Sequence, residues 1–197
     1  MGMRRESALL ASVVLLVLVD QGTKLWATET LTHRLDGVSG LPAKLARMYS
    51  PDEYRGADGR AYVRNYAFKR EHLFGRHLAL HFGENEGVLH ELEEARPGLG
   101  PWVTRSVWLA LSVLALAALL RWGARGGKLS MGFVLVAAAV VSAALDFSLA
   151  GFTVEWLELR DVVGWTARGN LAELCGAAGA LLLAVTGLQA RASRGHR

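Results

Sequence analysis

Four long apolar runs, residues 7–27, 102–120, 129–151 and 170–190, and one short alternating stretch ahead of the second run organise the chain. Each run is close to the roughly 20 residues that a helix needs to cross hydrocarbon. The second and third hold one charge apiece, Arg105 near a start and Asp146 near an end, and both are rich in Ala, the third with Gly132 and Gly151 as well, as where helices approach closely in lipid. Ahead of the second run, Leu78, Leu80 and Phe82 alternate with His77, Ala79 and His81, the period-two pattern of a half-buried strand. The pattern predicts an all-α membrane protein: four transmembrane helices in one membrane domain, 1–197, with a small strand-containing extracytoplasmic element between helices 1 and 2. Residues 28–101 supply that element. Its 32–76 part is polar and mixed in charge, with turn signals at Asp36-Gly37, Ser50-Pro51-Asp52 and Ala57-Asp58-Gly59.

Composition narrows the class only a little further. With 197 residues, 52% hydrophobic, 22 Gly and 4 Pro, the chain is no collagen, disordered tract or disulfide scaffold. Charge placement says more. Arg4 and Arg5 precede the first run, Arg121, Arg125 and Lys128 sit between the second and third, and Arg191, Arg194 and Arg197 follow the fourth, eight cations against Glu6 alone. Basic residues beside span ends stay in the cytoplasm, so both termini are expected there, with 28–101 and 152–169 outside. The net charge of +4 is then a topology signal, and no nucleic-acid partner is implied. Met1 to Val19 also has the n- and h-regions of a cleaved signal peptide, but no small-x-small cleavage site follows, and the polar segment DQGTKLWA continues the span.

Cys175 is the single cysteine and lies inside the fourth run, away from all six histidines. An internal disulfide is impossible, and a packed thiol is the expected role. His77 and His81 would make a zinc pair only on a helix. Neither a metal nor a cofactor is expected.

Candidate chemistry lies in the polar residues at the outer ends of the runs. Asp20, Gln21, Thr23 and Lys24 close the first, Asp146 lies near the end of the third with Glu155 after it, and Asn170 and Glu173 open the fourth. Ionisable groups at membrane depth are costly unless paired or functional, and under the topology above all of these fall at one level. Glu155 and Glu173 are separated only by a short outer turn, so adjacent antiparallel helices can bring them together. Two acids in a shared low-dielectric site can hold one proton between them. One can then take a proton from water while the other polarises a peptide carbonyl, the logic of an aspartic-type peptidase. Each residue also has a plainer role open to it: a capping box for Asn170 and Glu173, an i,i+4 ion pair for Asp20 and Lys24, and a solvated loop face for Glu155 with Glu158 and Asp161.

These segments resemble signal peptidase II, the lipoprotein signal peptidase family. DQGTKLW is similar to its D-Q-x-T-K element, and Asn85-Glu86-Gly87 to its N-x-G element. LDFSLAGFTVEW resembles G-N-x-x-D-R, a Gly-containing spacer, then V-V-D-F, with Asp146 on the first Asp and Glu155 on the catalytic Asp. GNLAE resembles F-N-x-A-D, with Asn170 on the Asn and Glu173 on the second catalytic Asp. The chain departs from the pattern with Glu at both catalytic positions, Ser142-Ala143 for G-N, Phe147 for R, His90 for the aromatic three residues after Gly87, and a longer loop before the strand. The resemblance implies an endopeptidase of the bacterial inner membrane that cuts prolipoproteins before a diacylglyceryl-modified cysteine and works as a monomer among membrane lipids. Glu155 and Glu173 would be its catalytic pair. Asp20, Asn85 and Asn170 would hold substrate backbone or brace that pair beside Gly87, and Asp146 would tie spans together through Lys24. Because both acids are longer than the family's, the alternative is a catalytically inactive relative that binds lipoprotein signal peptides or lipopeptide inhibitors.

Overall fold

The apolar runs become helices because in hydrocarbon a backbone must satisfy its own hydrogen bonds, and an uninterrupted helix does so within one segment. The computed structural model describes residues 2–50, 53–55, 61–63, 69–85, 100–123, 128–162 and 165–195. Its long helices are α1 (Gly2–Leu31), α3 (Gly100–Trp122), α4 (Lys128–Leu149) and α5 (Leu171–Gly195), with a short helix α2 (Leu41–Met48) after α1. All four long helices are apolar enough to span a membrane, over Arg5–Leu31, Arg105–Trp122, Ser130–Leu149 and Leu171–Gln189. Leu15, Leu18, Leu114, Leu181 and Leu188 point outward, and an apolar surface that broad is covered by lipid. The chain is a multi-pass membrane protein.

Helix α4 is the axle of the bundle. Val134, Ala137 and Ala138 form one core with Val13 and Val17 of α1 and Leu119 of α3. Its contact with α5 is closer still. A methyl added to Gly179 would lie 2.8 Å from the Gly132 carbonyl oxygen and 2.9 Å from the Leu135 Cβ, so the two backbones meet through glycine, as small-residue interfaces in membranes do. Gly179→Val should therefore force the helices apart and cost about 1–3 kcal/mol. A thermal melt in detergent checks it, and an unchanged midpoint would refute the close crossing.

Outside the bundle, β3 (Arg70–Phe74), β4 (Leu78–Asn85), β5 (Thr153–Val162) and β6 (Trp165–Gly169) form an antiparallel sheet in that order. A separate two-stranded pair, β1 (Glu53–Arg55) and β2 (Ala61–Val63), lies in the insert. The expected fold class holds, but half of the larger sheet comes from the segment between α4 and α5, where a short turn was expected. That segment reads poorly as strand because two of its buried positions are charged. Glu155 and Glu158 are both buried, so the solvated loop face is overturned. Strand β4 follows the alternating stretch, with Leu80 and Phe82 joined to Ala27 and Leu31 of α1 and to Phe152 and Val154. Its other face is covered too, since Ala79 is fully buried.

Arg34 locks the insert to this base. Its guanidinium donates to Glu84 and, at 2.6 Å, to the Ser50 carbonyl, and it lies 5.7 Å from the Phe152 ring centroid. On the sheet, burial alone would push the Glu158 carboxyl up, but hydrogen bonds from Arg168 and Arg160, with the charge of Arg70, outweigh it and hold the group below its ordinary 4.5. A depressed carboxylate contributes stability that is complete above its unfolded-state pKa and lost as pH falls through the folded one. Melting midpoints should therefore drop as pH falls below 4.5, and the drop should shrink in Glu158→Gln.

Candidate active site

Lys24 is the centre of the polar network. It is fully buried in the C-terminal third of α1, between two carboxylates, Asp20 one turn earlier on its own helix and Asp146 on α4 at 2.5 Å. A buried lysine tolerates this depth because its charge is doubly compensated and hydrogen-bonded. The i,i+4 spacing makes the first pair local, and the second clamps α1 to α4.

Each of the two aspartates also pins one further element. Asp20 Oδ1 accepts the Ala172 backbone N–H at 2.8 Å, one of the unsatisfied donors at the start of α5. Its other oxygen takes Lys24 and the Ser142 hydroxyl. Asp146 Oδ2 accepts from Thr153 Oγ1 at 2.6 Å, at the first residue of β5. Its Oδ1 lies 3.0 Å from both Gln21 Nε2 and the Tyr49 hydroxyl. One lysine thus fixes the start of the helix that carries Glu173 and the start of the strand that carries Glu155.

Asn170 joins those two starts. Its Nδ2 donates to Thr153 Oγ1 at 3.1 Å and to the Val154 carbonyl at 3.2 Å, while its Oδ1 accepts the Glu173 N–H at 3.0 Å. Glu173 returns the bond, its Oε2 accepting the Asn170 N–H at 3.2 Å. This is the reciprocal capping box that the sequence pattern allowed. The cap and the placement of the carboxylate are one structure, because folding back over the helix start holds Glu173 beside β5.

Glu155 is held from the sheet. Asn85 Nδ2 donates to its Oε1 at 2.5 Å. The strand pairing shifts between Leu80 and Gly83 of β4, so that Gly83 sits opposite Glu155 and Asn85 opposite Thr153. Cross-strand partners share a face, and residues two apart on a strand share it too. Without the extra residue, Asn85 would fall on the opposite face from Glu155. Bulges beside active sites commonly re-aim a side chain in this way.

Glu155 is buried and Glu173 exposed, and the two carboxylates interact electrostatically. Glu173 opens on a cavity of about 330 Å³. Lys24, Asn85, Thr153 and Asn170 line its polar side, and Trp108 of α3 with Ala139, Val140, Ala143 and Phe147 of α4 its apolar side. Trp108 and Phe147 are stacked, 5.2 Å apart and nearly parallel. Asp20, Lys24, Asn85, Asp146, Glu155, Asn170 and Glu173 are thus brought into one connected region, whereas Gly87 and His90 lie outside the described residues. Among the described residues no group of three His, Cys, Asp or Glu side chains is arranged to hold a metal ion.

Three participants escape sequence reading. Tyr49 follows α2 and reaches a partner 97 residues away, and nothing in a turn-rich polar loop signals it. Burial, and the Asp146 carboxylate beside it, push its hydroxyl above the usual range, so it serves Asp146 as a donor. Thr153 and Ser142 are small hydroxyl residues whose roles depend on what faces them. Gly169 carries a testable constraint, since a methyl there would sit 2.6 Å from Glu173 Oε2. Gly169→Ala should displace that carboxylate, cost no more stability than one helix cap, about 1 kcal/mol, and lower any activity that depends on Glu173 by up to about 100-fold. Retained activity would show that its position is not critical.

No protein-family model matches the chain, and no curated protein matches it. Solved structures do. One, described as a bacterial membrane enzyme, superposes with a TM-score of 0.60 at 11% identity, over 93% of this chain and 88% of its own. A second, described in the same words, gives 0.54 at 14% identity, over 92% and 93%. The chain shares the fold of these two structures. At that identity the likeness speaks for architecture alone, and the chemistry has to be argued from the site.

Proposed function

We propose that the chain is an aspartic-type intramembrane endopeptidase, with Glu155 and Glu173 as its catalytic pair, that removes signal peptides from diacylglyceryl-modified bacterial prolipoproteins. The supporting observation is how the four acids divide. Asp20 and Asp146 both pair with Lys24. Among the described residues neither Glu155 nor Glu173 forms a salt bridge, and each is held by an asparagine instead. Two neighbouring carboxylates without a salt bridge are suited to sharing a proton. In the proposed reaction one carboxylate removes a proton from water as it attacks the scissile carbonyl. The other gives its proton to the carbonyl oxygen, and the leaving nitrogen is protonated as the tetrahedral intermediate collapses.

The cavity suits such a substrate, for its apolar wall of Trp108, Phe147 and α4 alanines could face acyl chains or an apolar signal peptide while the polar side meets the peptide backbone. On this reading Asp20, Lys24, Asp146 and Asn170 brace the pair and Asn85 orients Glu155. The chain acts as a monomer in the bacterial inner membrane, with both termini cytoplasmic, and uses neither metal nor cofactor.

One observation favours the second reading, a catalytically inactive relative that binds the same peptides. Glu173 Oε2 is engaged in capping α5. Incubating the purified protein in detergent with a diacylglyceryl-modified prolipoprotein peptide separates the two. A cut immediately before the lipidated cysteine is the expected result; saturable binding of an intact peptide would withdraw the catalytic assignment.

A further inference from the structure

Away from the cavity, one row of residues crosses all four strands of the larger sheet: His72 opposite Ala79, Ala79 opposite Glu158, and Glu158 opposite Arg168. Ala79 is fully buried and small, which leaves room beside it for side chains from either side. Glu158 fills the row's centre with no exposure, and three arginines meet it: Arg168 Nε at 3.0 Å, Arg70 Nη2 at 3.3 Å, and Arg160 through Nε. One carboxylate neutralises one guanidinium. Among the described residues no other carboxylate pairs with these three, so two positive charges remain. Nor are the donors used up. Arg160 and Arg168 reach Glu158 through Nε, and the side chains of Arg70, Arg160 and Arg168 are 31%, 34% and 41% exposed.

The cluster's place in the fold indicates what approaches it. Trp156 lies two residues before Glu158 on β5, and so on the same strand face. It packs edge-on against Trp26 of α1, 6.1 Å between ring centroids. Trp26 is 44% exposed near the end of the first span, the position that tryptophan takes at a membrane–water boundary. Arg70 begins β3 immediately after Lys69, whose N–H donates to the carbonyl of Leu31, the last residue of α1. The three arginines therefore stand where a spanning helix leaves the membrane.

We propose that Arg70, Arg160 and Arg168 form a binding site for the phosphodiester headgroup of an anionic phospholipid, seated beside the end of α1. Planar guanidiniums bind phosphate oxygens in pairs, and the two uncompensated charges match an anion. Free phosphate shares this chemistry, but a lipid brings its phosphate to this depth already oriented. The site is separate from the carboxylate pair and does not depend on the proposed peptidase activity.

Native mass spectrometry of the full chain in detergent, with phosphatidylglycerol or phosphatidylcholine added, tests this. Wild type should retain phosphatidylglycerol preferentially. Arg160→Gln with Arg168→Gln should weaken that retention, by about five-fold per arginine. Since this pair of changes leaves the buried Glu158 with Arg70 as its remaining arginine partner and could unfold the sheet, Glu158→Gln provides the second arm. It keeps all three arginines, removes the opposing charge, and should tighten phosphatidylglycerol retention, whereas a purely structural cluster would lose stability without binding lipid better. No lipid preference in wild type, or a preference unmoved by either variant, overturns the proposal. Displacement of the lipid by millimolar inorganic phosphate would overturn the choice of lipid as ligand, and preferential retention of an added acidic peptide would do the same.

Discussion

Glu155→Gln and Glu173→Gln should each reduce cleavage of a lipid-modified prolipoprotein peptide by on the order of 10²–10⁴-fold, the range over which a positioned acid or base contributes. Glutamine suits the test because it nearly preserves shape. At position 155 its carbonyl can still accept from Asn85 Nδ2, and at 173 it can still accept the Asn170 N–H, as a capping box with Gln does. What is lost is the ability to carry and exchange a proton. If the two acids act as a unit, the double variant should be no worse than the poorer single one, since groups that work together are strongly non-additive. Glu→Asp at either position asks the complementary question. Charge is kept, but the carboxylate is withdrawn by about one bond from a position fixed by its asparagine, and a fall near 100-fold is expected. Single-turnover rates at saturating peptide, alongside melting midpoints, separate chemistry from folding. Full activity in either Gln variant would remove that residue from the reaction.

The spans were legible because lipid imposes a length and a composition that no other environment does, so four apolar runs yield four helices. The polar network was legible as far as it lay at span ends, where Asp20, Lys24, Asp146 and Glu173 are conspicuous as charges close to apolar runs. The β5–β6 hairpin was not. Two of its buried positions are the charged Glu155 and Glu158, held by Asn85 and by three arginines, and buried charges erase the apolar alternation by which a strand is read. Tyr49 was hidden for a different reason. A hydroxyl closing a contact across 97 residues leaves no local pattern, and the helix before it, α2, is only eight residues long. The bulge in β4 is likewise a property of strand pairing, invisible until β5 is laid beside it.

Lys24→Met should be the most destabilising single substitution at this site. Methionine fills similar space, so the loss is electrostatic: Asp20 and Asp146 would both remain buried with no cation between them. Breaking a buried pair by removing one partner costs about 3–5 kcal/mol, and here one partner serves two acids. Asp146→Asn should be much milder. It leaves Lys24 paired with Asp20 and keeps an amide that can accept from Thr153. The informative variant is the double change, Lys24→Met with Asp146→Asn. If Lys24 acts chiefly as the shared counter-charge of the two acids, removing one of them relieves part of the penalty, and the double variant should be more stable than Lys24→Met alone, a coupling well outside additivity. If Lys24 merely fills space, the two effects should add. Any peptidase activity should fall with Lys24→Met even where the protein remains folded, because the helix start bearing Glu173 and the strand start bearing Glu155 are referenced to each other through Asp20, Lys24 and Asp146. Denaturant midpoints and single-turnover rates on wild type, both single variants and the double variant measure both consequences. Recovery of stability without recovery of rate in the double variant would show that the lysine aligns the two carboxylates as well as pairing with its neighbours.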